Sequence, residues 1–356
     1  MKQKRPVVVL LPAPKPVVRS RFLSPLIYTG VAFVAFATLS FSYLVTQTRE
    51  VAFESAAVSS TPAEHDGRIT PFPLGVDPHK KKIIEQASAD TYFETHSPSR
   101  SLAQASNHSW FGRMVQHLAM MDWYQNLATP TGRMLVIASG DRKEELADHF
   151  AKLLSWNVAE RAQFLDLVAT ATPGILEGTY FPSTYVVTRS ATPEDVALLI
   201  TERFKIEVLS RYKPEIDAVV PMKDALTIAS LLEREAYDFE DMRLISGVIW
   251  NRLFIGMNLQ IDATLQYAKA NGGGNEWWPV PTPKDKDLHS PYNTYKVVGL
   301  PPTPIANPSL DAILAALNPK QTNCLFYFHD SHAGFHCAPT YKEHVELLKQ
   351  YYGQGK

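Results

Sequence analysis

The feature that most restricts how this chain can fold is a long stretch near its start that carries no charge. Residues 22–48 contain no Asp, Glu, Lys or Arg, and residues 26–45 are almost wholly apolar. A helix rises about 1.5 Å per residue, so this length spans the roughly 30 Å hydrocarbon core of a bilayer. The sequence therefore predicts one transmembrane helix over residues 22–48. The alternative is a cleaved signal peptide, whose apolar region would be shorter, about 7–15 residues.

Charges on the two sides of this stretch predict its orientation. Residues 1–21 form a basic tail without any acidic residue, and its prolines oppose a helix. Acidic residues follow the stretch, beginning with Glu50 and Glu54. Lys and Arg are enriched in the cytoplasmic flanks of membrane spans. We therefore expect a single-pass inner-membrane protein with a cytoplasmic N-terminus and everything from about Arg49 onward in the periplasm.

Beyond the membrane span, composition and pattern divide the chain into three parts. Residues 49–130 are rich in Ser, Thr, Ala, Pro and His, which predicts a partly ordered spacer, with a helix favoured over 111–130. Residues 131–215 begin with a strand, a turn and a helix, and residues 216–356 carry most of the motifs described below. The formal net charge of −1 offers no broad attraction for nucleic acid.

Two glutamates are predicted to lie on the apolar side of a buried helix. Residues 223–236, KDALTIASLLEREA, are helix formers without Gly or Pro. At about 100° per residue, Glu233 and Glu235 fall inside the apolar arc on opposite flanks. A narrow polar strip on the same helix consists of Lys223, Thr227, Ser230 and Arg234.

Burial of these glutamates has two explanations. An apolar environment disfavours the charged form of a carboxyl group, raises its pKa and keeps a proton available for general acid catalysis. The alternative is a structural glutamate paired with a cation such as Arg243 or Arg252. Helical periodicity does not choose between Glu233 and Glu235.

A second helix is predicted to begin at a cap near Asp238 and to carry Asn251 on its apolar face. A buried amide must find hydrogen-bond partners. Asn251 therefore either forms hydrogen bonds with polar groups of the core or holds a polar ligand.

Four motifs give the chain a specific resemblance. They are LEGTYFPSTY (176–185), ASLLERE (229–235), VIWNRLFIGMNLQIDATLQYA (248–268) and SPYNTYKVVGLPPTPIANPS (290–309). In this order and spacing, the chain from roughly residue 133 to its end resembles the YceG-like family of endolytic murein transglycosylases. The unit containing VIASGD (136–141) is similar to the LysM-like subdomain of such cell-wall enzymes.

The resemblance implies an α+β fold in which a LysM-like α/β subdomain packs on a YceG-like catalytic domain. It also implies cleavage within peptidoglycan glycan strands, between N-acetylmuramic acid and N-acetylglucosamine, leaving 1,6-anhydro ends. The family's catalytic glutamate is the first in its motif, here Glu233, which would serve as general acid and then general base. No cofactor is expected, and the implied partners are glycan strands and penicillin-binding proteins.

Polar residues in the same motifs are candidates for holding the sugars. For each of them alone, a core or loop hydrogen bond is the alternative, and Glu177 in the LEG turn is favoured as a structural cap. Trp277 and Trp278 could stack on sugar rings, but a hydrophobic plug over the core is favoured. The candidates for substrate binding are Asn251, Gln260, Tyr292 and Asn293.

The two cysteines, Cys324 and Cys337, flank a pattern typical of a β-hairpin. A disulfide across the hairpin is the leading interpretation in an oxidising periplasm. Two free thiols, or a zinc site using the intervening histidines, are the alternatives.

Two rival functions remain on sequence grounds. One is a non-catalytic cell-wall or division scaffold that kept the fold. The other is a hydrolytic muramidase in which Glu235 or Asp262 activates water.

Overall fold

The computed structural model describes residues 38, 43, 70–96, 132–172, 174–271 and 276–353. The chain forms two compact units, Met1–Glu50 and Val51–Lys356. In the first unit, Thr38 and Tyr43 are helical, and the rest of the predicted basic tail and membrane span lies outside the described residues. The helix expected over 111–130 also lies outside them. Within the part of the chain that is described, no helix is long and apolar enough to cross a membrane.

The second unit combines helices with three small antiparallel sheets, which confirms the predicted α+β class. Its described helices are α1 Ala87–His96, α2 Lys143–Leu154, α3 Val158–Ala171, α4 Pro193–Phe204, α5 Pro214–Asp217, α6 Met222–Glu235, α7 Phe239–Phe254, α8 Asp262–Ala270, α9 Leu310–Leu317 and α10 Tyr341–Tyr352. The strand pairs are β1 Val76–Asp77 with β2 Lys82–Ile83, β3 Gly132–Ile137 with β4 Ser183–Thr188, and β5 Phe326–His329 with β6 Phe335–Ala338.

The unit β3–α2–α3–β4 has a core of its own. Its strands pair from Gly132 opposite Thr188 to Ile137 opposite Ser183, and two helices connect them. Buried residues recur at helical spacing in α2, so that its apolar face covers this sheet. The side chains of Leu135, Phe150 and Phe164 are fully buried in this core.

Helix α6 lies at the centre of the larger core. Every residue from Ala225 to Leu232 is buried, and the helix packs against α7 and α9. Burying a leucine or isoleucine side chain stabilises the fold by roughly 1.5–3 kcal/mol, so this helix is firmly fixed. The predicted helix is confirmed, but its polar strip is not continuous, because Thr227 and Ser230 are buried. Their hydroxyls donate to the backbone oxygens of Lys223 and Thr227, which satisfies them without solvent.

Part of the predicted spacer belongs to this larger core. Phe72, Val76, Ile83 and Tyr92 are buried in it. The backbone nitrogen of Gly75 donates to the oxygen of Leu317 at 2.9 Å, at the end of α9. The segment 70–96 is therefore a structural part of the unit. The sequence did not predict this role, because the apolar residues of the segment are too widely spaced to show a helical or strand period.

The predicted boundary between residues 131–215 and 216–356 does not coincide with a boundary between the cores. Phe204, Val208 and Tyr212 pack with α6 in the larger core, although they precede residue 216. The smaller core draws its buried residues from Leu135 to Ile200.

Asn307 joins the two cores through backbone contacts. Its amide nitrogen donates to the oxygen of Asp141 at 2.9 Å, and its oxygen accepts from the amide of Gly140 at 2.8 Å. Its side-chain oxygen accepts from the amide of Tyr180 at 2.9 Å. This buried residue therefore fixes the turn after β3 and the LEGTY segment beside α9.

The predicted hairpin is confirmed as β5 and β6, in which Tyr327 pairs with Cys337. A disulfide joins Cys324 and Cys337 across it, with Cα atoms 5.7 Å apart. A cross-link with a sequence separation of 13 restricts the unfolded chain and is worth about 3 kcal/mol by loop-closure entropy.

We predict that reduction lowers the free energy of unfolding of the wild-type chain by about 2–4 kcal/mol. Urea denaturation with and without dithiothreitol measures this. The matched control is the double variant Cys324→Ala with Cys337→Ala, whose stability should not respond to the reductant. Equal stability of the oxidised and reduced wild type would contradict the prediction.

Candidate active site

Glu233 lies in the last turn of α6, where the side chain is half-buried. Its Oε2 accepts a hydrogen bond from the backbone nitrogen of Ser309 at 3.0 Å. Ser309 is the N-cap of α9, and its hydroxyl accepts from the amide of Ala312. The N-terminus of a helix carries partial positive charge, so this end of α9 stabilises and orients the Glu233 carboxylate.

The turn after β3 approaches the same carboxylate. Gly140 has φ +85°, a backbone conformation that residues with a side chain rarely adopt. A Cβ at this position would lie 3.3 Å from a terminal nitrogen of Arg234 and 3.8 Å from Cγ of Glu233. The smaller α/β unit therefore forms part of the surroundings of Glu233, and glycine permits the close approach.

Arg234, the residue after Glu233, is exposed but makes defined contacts. Its guanidinium carbon lies 3.9 Å from the ring centre of Trp278. It also interacts electrostatically with the carboxylates of Glu145, Asp141 and Glu233. Neither Arg243 nor Arg252 is the cation next to Glu233, because Arg243 pairs with Asp90 and Arg252 donates to backbone oxygens.

The acidic residues at the start of α2 are perturbed by their environment. Burial, with Glu145 as a neighbouring negative charge, raises the pKa of Asp141 to about 7. Burial also raises the pKa of Glu145, while the backbone hydrogen bond from Arg142 and the charge of Arg234 oppose this. The Asp141 carboxyl group can therefore hold a proton near neutral pH.

Glu235 occupies a different environment from Glu233. Its Oε2 accepts from the hydroxyl of Tyr327 at 3.0 Å, and its carboxylate also accepts from the backbone of Ala263 at the start of α8. Burial raises the pKa of Glu235 to about 7, and both hydrogen bonds counteract that rise. Glu235 therefore connects α6 to the hairpin and to α8.

Gln260 is the candidate sugar-binding residue with the most available side chain. It is exposed and has φ +51°, while its backbone nitrogen donates to the oxygen of Thr294 at 3.0 Å. Left-handed φ is uncommon for residues other than glycine and costs energy, so the surrounding contacts hold this turn in place. Asp262, two residues later, accepts from the hydroxyl of Tyr295 at 2.6 Å.

The neighbouring candidates Tyr292 and Asn293 differ in how far their side chains are exposed to a ligand. Tyr292 is half-buried, packs against Tyr267 with the rings tilted and their centres 4.7 Å apart, and shares a hydrogen bond of 2.7 Å with Thr303. Asn293 is fully buried, and its amide bonds to the backbone of Lys286, Leu288 and Tyr295. The side chain of Asn293 therefore shapes the loop, whereas the ring of Tyr292 reaches its surface.

Asn251 likewise has a structural role. Its side-chain nitrogen donates to the oxygens of Thr322 and Cys324, at 2.7 and 3.1 Å. Both hydrogens of the amide are used to hold the chain that leads into the hairpin. Asn251 lines an open depression together with Phe254, but Glu233 is not among its lining residues.

The LEG turn contains a buried carboxyl group with a structural role. Oε1 of Glu177 accepts from the backbone nitrogen of Lys143 at 3.0 Å, at the start of α2, in keeping with the favoured cap. Burial and the nearby charge of Glu144 raise the pKa of Glu177 to about 8. Its neighbour Gly178 (φ +88°) lies so close to Pro304 that a Cβ would be 3.0 Å away.

Three contributors to the site were missed at the level of sequence: Ser309, Gly140 and Arg142. Arg142 is buried, donates to the backbone oxygen of Trp277 at 3.4 Å and stacks on Tyr267 at 4.1 Å. The SGD sequence was a weak signal for a turn at Gly140. The contacts of Ser309, Gly140 and Arg142 join residues far apart in the chain, so no local sequence pattern predicts them.

The residues described contain no group of three or more His, Cys, Asp or Glu side chains placed to hold a metal ion. The histidines of the hairpin instead pair with carboxylates. His329 lies 2.9 Å from Asp241, and His336 lies 2.8 Å from Asp330.

Comparison with known proteins assigns the chain to a family. Residues 79–350 match the YceG-like family. The endolytic murein transglycosylase of Streptococcus pneumoniae (strain D39) is 37% identical over 204 residues, covering 54% of this chain and 36% of that protein. The protein of the same name from Bacillus subtilis is 36% identical over 178 residues, covering 49% of this chain and 48% of that protein. The matches thus cover less than half of either relative.

A solved structure supports the fold independently. The crystal structure of a yceG-like protein from Listeria monocytogenes aligns with a TM-score of 0.53 and 22% identity. The alignment covers 78% of this chain and 98% of that one. At this identity the likeness concerns the fold alone.

The raised pKa values predict how stability depends on pH. A carboxyl group whose folded pKa exceeds its unfolded value binds more protons in the native state, so stability falls as pH rises through the folded pKa. Glu177, Asp141 and Glu235, at about 8, 7 and 7, should together weaken the fold between about pH 4.5 and 8.

Glu177→Gln should make this decline less steep, because each such group contributes at most about 1.4 kcal/mol per pH unit. Urea unfolding at several pH values measures the slope. The matched control is Glu215→Gln on α5, where the glutamate is exposed and the slope should not change. A slope in Glu177→Gln as steep as in the wild type would show that Glu177 does not remain protonated in the fold.

Proposed function

This chain belongs to the YceG-like family, and we propose that it is an endolytic lytic transglycosylase that cleaves peptidoglycan glycan strands. The observation that carries the proposal is the position of Glu233 in the ASLLERE motif, where the N-terminus of α9 holds its half-buried carboxylate. The names of the relatives from S. pneumoniae and B. subtilis point to the same reaction.

The proposed reaction needs one carboxyl group in two roles. Protonated Glu233 donates its proton to the glycosidic oxygen as the bond from C1 of N-acetylmuramic acid to that oxygen breaks. The resulting carboxylate then accepts the proton of the 6-hydroxyl of the same sugar as this oxygen attacks C1. The products are a 1,6-anhydro end and a free 4-hydroxyl, and water is not consumed.

The hydrogen bond from Ser309 orients the carboxyl group and leaves one of its oxygens free for the substrate. It is donated to Oε2, so Oε1 can carry and exchange the proton. Because the nucleophile is part of the substrate, no second carboxylate has to act as nucleophile or to activate water. Intramolecular attack also carries an effective molarity on the order of 10⁵ M or more when the groups are well oriented.

The surroundings of Glu235 make it a poor general base for a muramidase. Tyr327 and the backbone of Ala263 already donate hydrogen bonds to its carboxylate. Asp262 is more exposed but accepts the hydroxyl of Tyr295. These contacts favour the transglycosylase over the hydrolytic reading.

For substrate binding, we propose the side chains of Gln260 and Tyr292. Both lie in the loops joined by the backbone bond from Gln260 to Thr294. The side chain of Gln260 is exposed and that of Tyr292 is half-buried. The amides of Asn251 and Asn293 would contribute by fixing the loops rather than by touching sugar.

The proposal extends to the placement of the enzyme. The uncharged stretch 22–48, after a basic tail, supports an inner-membrane anchor with the enzyme in the periplasm. The order β3–α2–α3–β4 supports a LysM-like subdomain in residues 131–215. In that location the enzyme would act beside wall synthases such as penicillin-binding proteins and set the length of new strands.

The proposal is tested with the full chain and uncrosslinked glycan strands, with products identified by mass spectrometry. The wild type should yield 1,6-anhydro ends, and Glu233→Gln should lower the cleavage rate by about 10²- to 10⁴-fold, because an amide cannot exchange the proton. Glu235→Gln and Asp262→Asn are the matched comparisons and should still form anhydro ends.

Other outcomes select the rival functions. Reducing ends in number equal to the broken bonds, with loss of cleavage in Glu235→Gln or Asp262→Asn, would mean a hydrolytic muramidase. No cleavage by a folded wild-type chain would mean a non-catalytic scaffold.

A further inference from the structure

Residues from three separate elements of the fold interact around Arg234. Arg234 lies on α6, Trp278 lies in the segment between α8 and the short 3₁₀ helix Pro283–Asp287, and Glu145 lies in the first turn of α2. The guanidinium stacks on the indole ring at 3.9 Å, and the Trp278 side chain, as a polar neighbour of Glu145, opposes the rise in the pKa of that carboxyl group. Arg234 and Glu145 also attract each other electrostatically. Trp278 therefore lies between a stacked cation, Arg234, and a carboxylate, Glu145, that attract each other through charge.

We infer that Arg234 is a positioning residue for the reaction at Glu233, acting through a clamp formed by Arg234, Trp278 and Glu145. The inference rests on the proposed function. Glu233 precedes Arg234 on the last turn of α6, so the clamp fixes the end of the helix that carries the carboxylate. The clamp also lies against the Gly140 turn. A Cβ added to Gly140 would be 3.3 Å from a terminal nitrogen of Arg234.

Trp278 packs against the larger core, in keeping with the favoured plug, and the tryptophan pair also contacts cations. Arg142, from the same unit as Glu145, donates to the backbone oxygen of Trp277 at 3.4 Å and lies 5.4 Å from its ring centre. The pair is thus bound from both sides by cations, Arg142 from one core and Arg234 from the other. Stacking of a planar guanidinium on indole is attractive, and more so where water is excluded.

Loss of the cation should affect the clamp in two ways. Arg234→Met removes the charge, so Asp141 and Glu145 lose their shared attraction to α6. It also removes the stacking partner of Trp278. Arg234→Lys keeps the charge but not the planar guanidinium, and it should recover part of the function.

The kinetic test measures kcat and KM for cleavage of uncrosslinked glycan strands by the full chain. Misplacing a catalytic group by about 1 Å can cost on the order of 100-fold, so we expect kcat to fall by about 10- to 100-fold in Arg234→Met with little change in KM. Trp278→Leu should give a similar loss of kcat. The double variant should be no worse than the poorer single variant, because both changes open the same clamp.

Arg161→Met is the matched control. Arg161 pairs with Asp148 on the surface of α2 and α3, and its loss should leave kcat unchanged. Multiplicative losses in the double variant, or a kcat in Arg234→Met within twofold of the wild type, would overturn the inference.

Hydrogen exchange tests the clamp even in a chain that does not cleave. The amide of Gly140, which donates to Asn307, should exchange about tenfold faster in Arg234→Met and in Trp278→Leu, as expected for local opening. Unchanged protection would exclude the clamp. A wild type that cleaves nothing would refute the proposed function and the positioning role of Arg234 in it. The exchange rates would still show whether the clamp exists.

Discussion

The structure around the site depends on the hydrogen bond from the backbone nitrogen of Ser309 to Glu233. It forms because α6 and α9 pack side by side in the larger core, so that the last turn of one helix meets the first turn of the other. A carboxylate is thereby held at the positive end of a helix without being enclosed. The hydroxyl of Ser230 accepts from the amide of Ile305 at 3.0 Å and fixes the chain that leads into this end.

The two glutamates of α6 show how the fold assigns different roles to equivalent residues. Two positions along a helix differ by about 200°, so Glu233 and Glu235 face opposite sides. Glu233 faces α9 and the Gly140 turn, while Glu235 faces Tyr327 and the start of α8. The contacts of Glu235 connect α6 to the disulfide-closed hairpin and to the start of α8. One helix therefore aligns the proposed acid with the loops proposed to bind sugar.

The sequence pattern of short segments predicted the elements whose formation depends on residues near one another in the chain. The spacing of apolar residues and the helix formers placed α6, and aromatic alternation with two cysteines placed the hairpin. The resemblance, rather than periodicity, selected Glu233 over Glu235. The roles of Asn251 and Asn293 could not be predicted, because a buried amide looks the same in sequence whether it bonds to backbone or to ligand. Asn307 joins segments more than a hundred residues away, which leaves no periodic signal.

The most direct measurement is cleavage of uncrosslinked glycan strands in water enriched in oxygen-18, followed by mass spectrometry of the new ends. If Glu233 serves as both acid and base while the sugar's own 6-hydroxyl attacks, every new N-acetylmuramic acid end is a 1,6-anhydro end without the label. We predict no incorporation of oxygen-18. One labelled oxygen for each broken bond would mean that water is the nucleophile, and it would contradict the single-carboxyl reaction on which the proposed function rests.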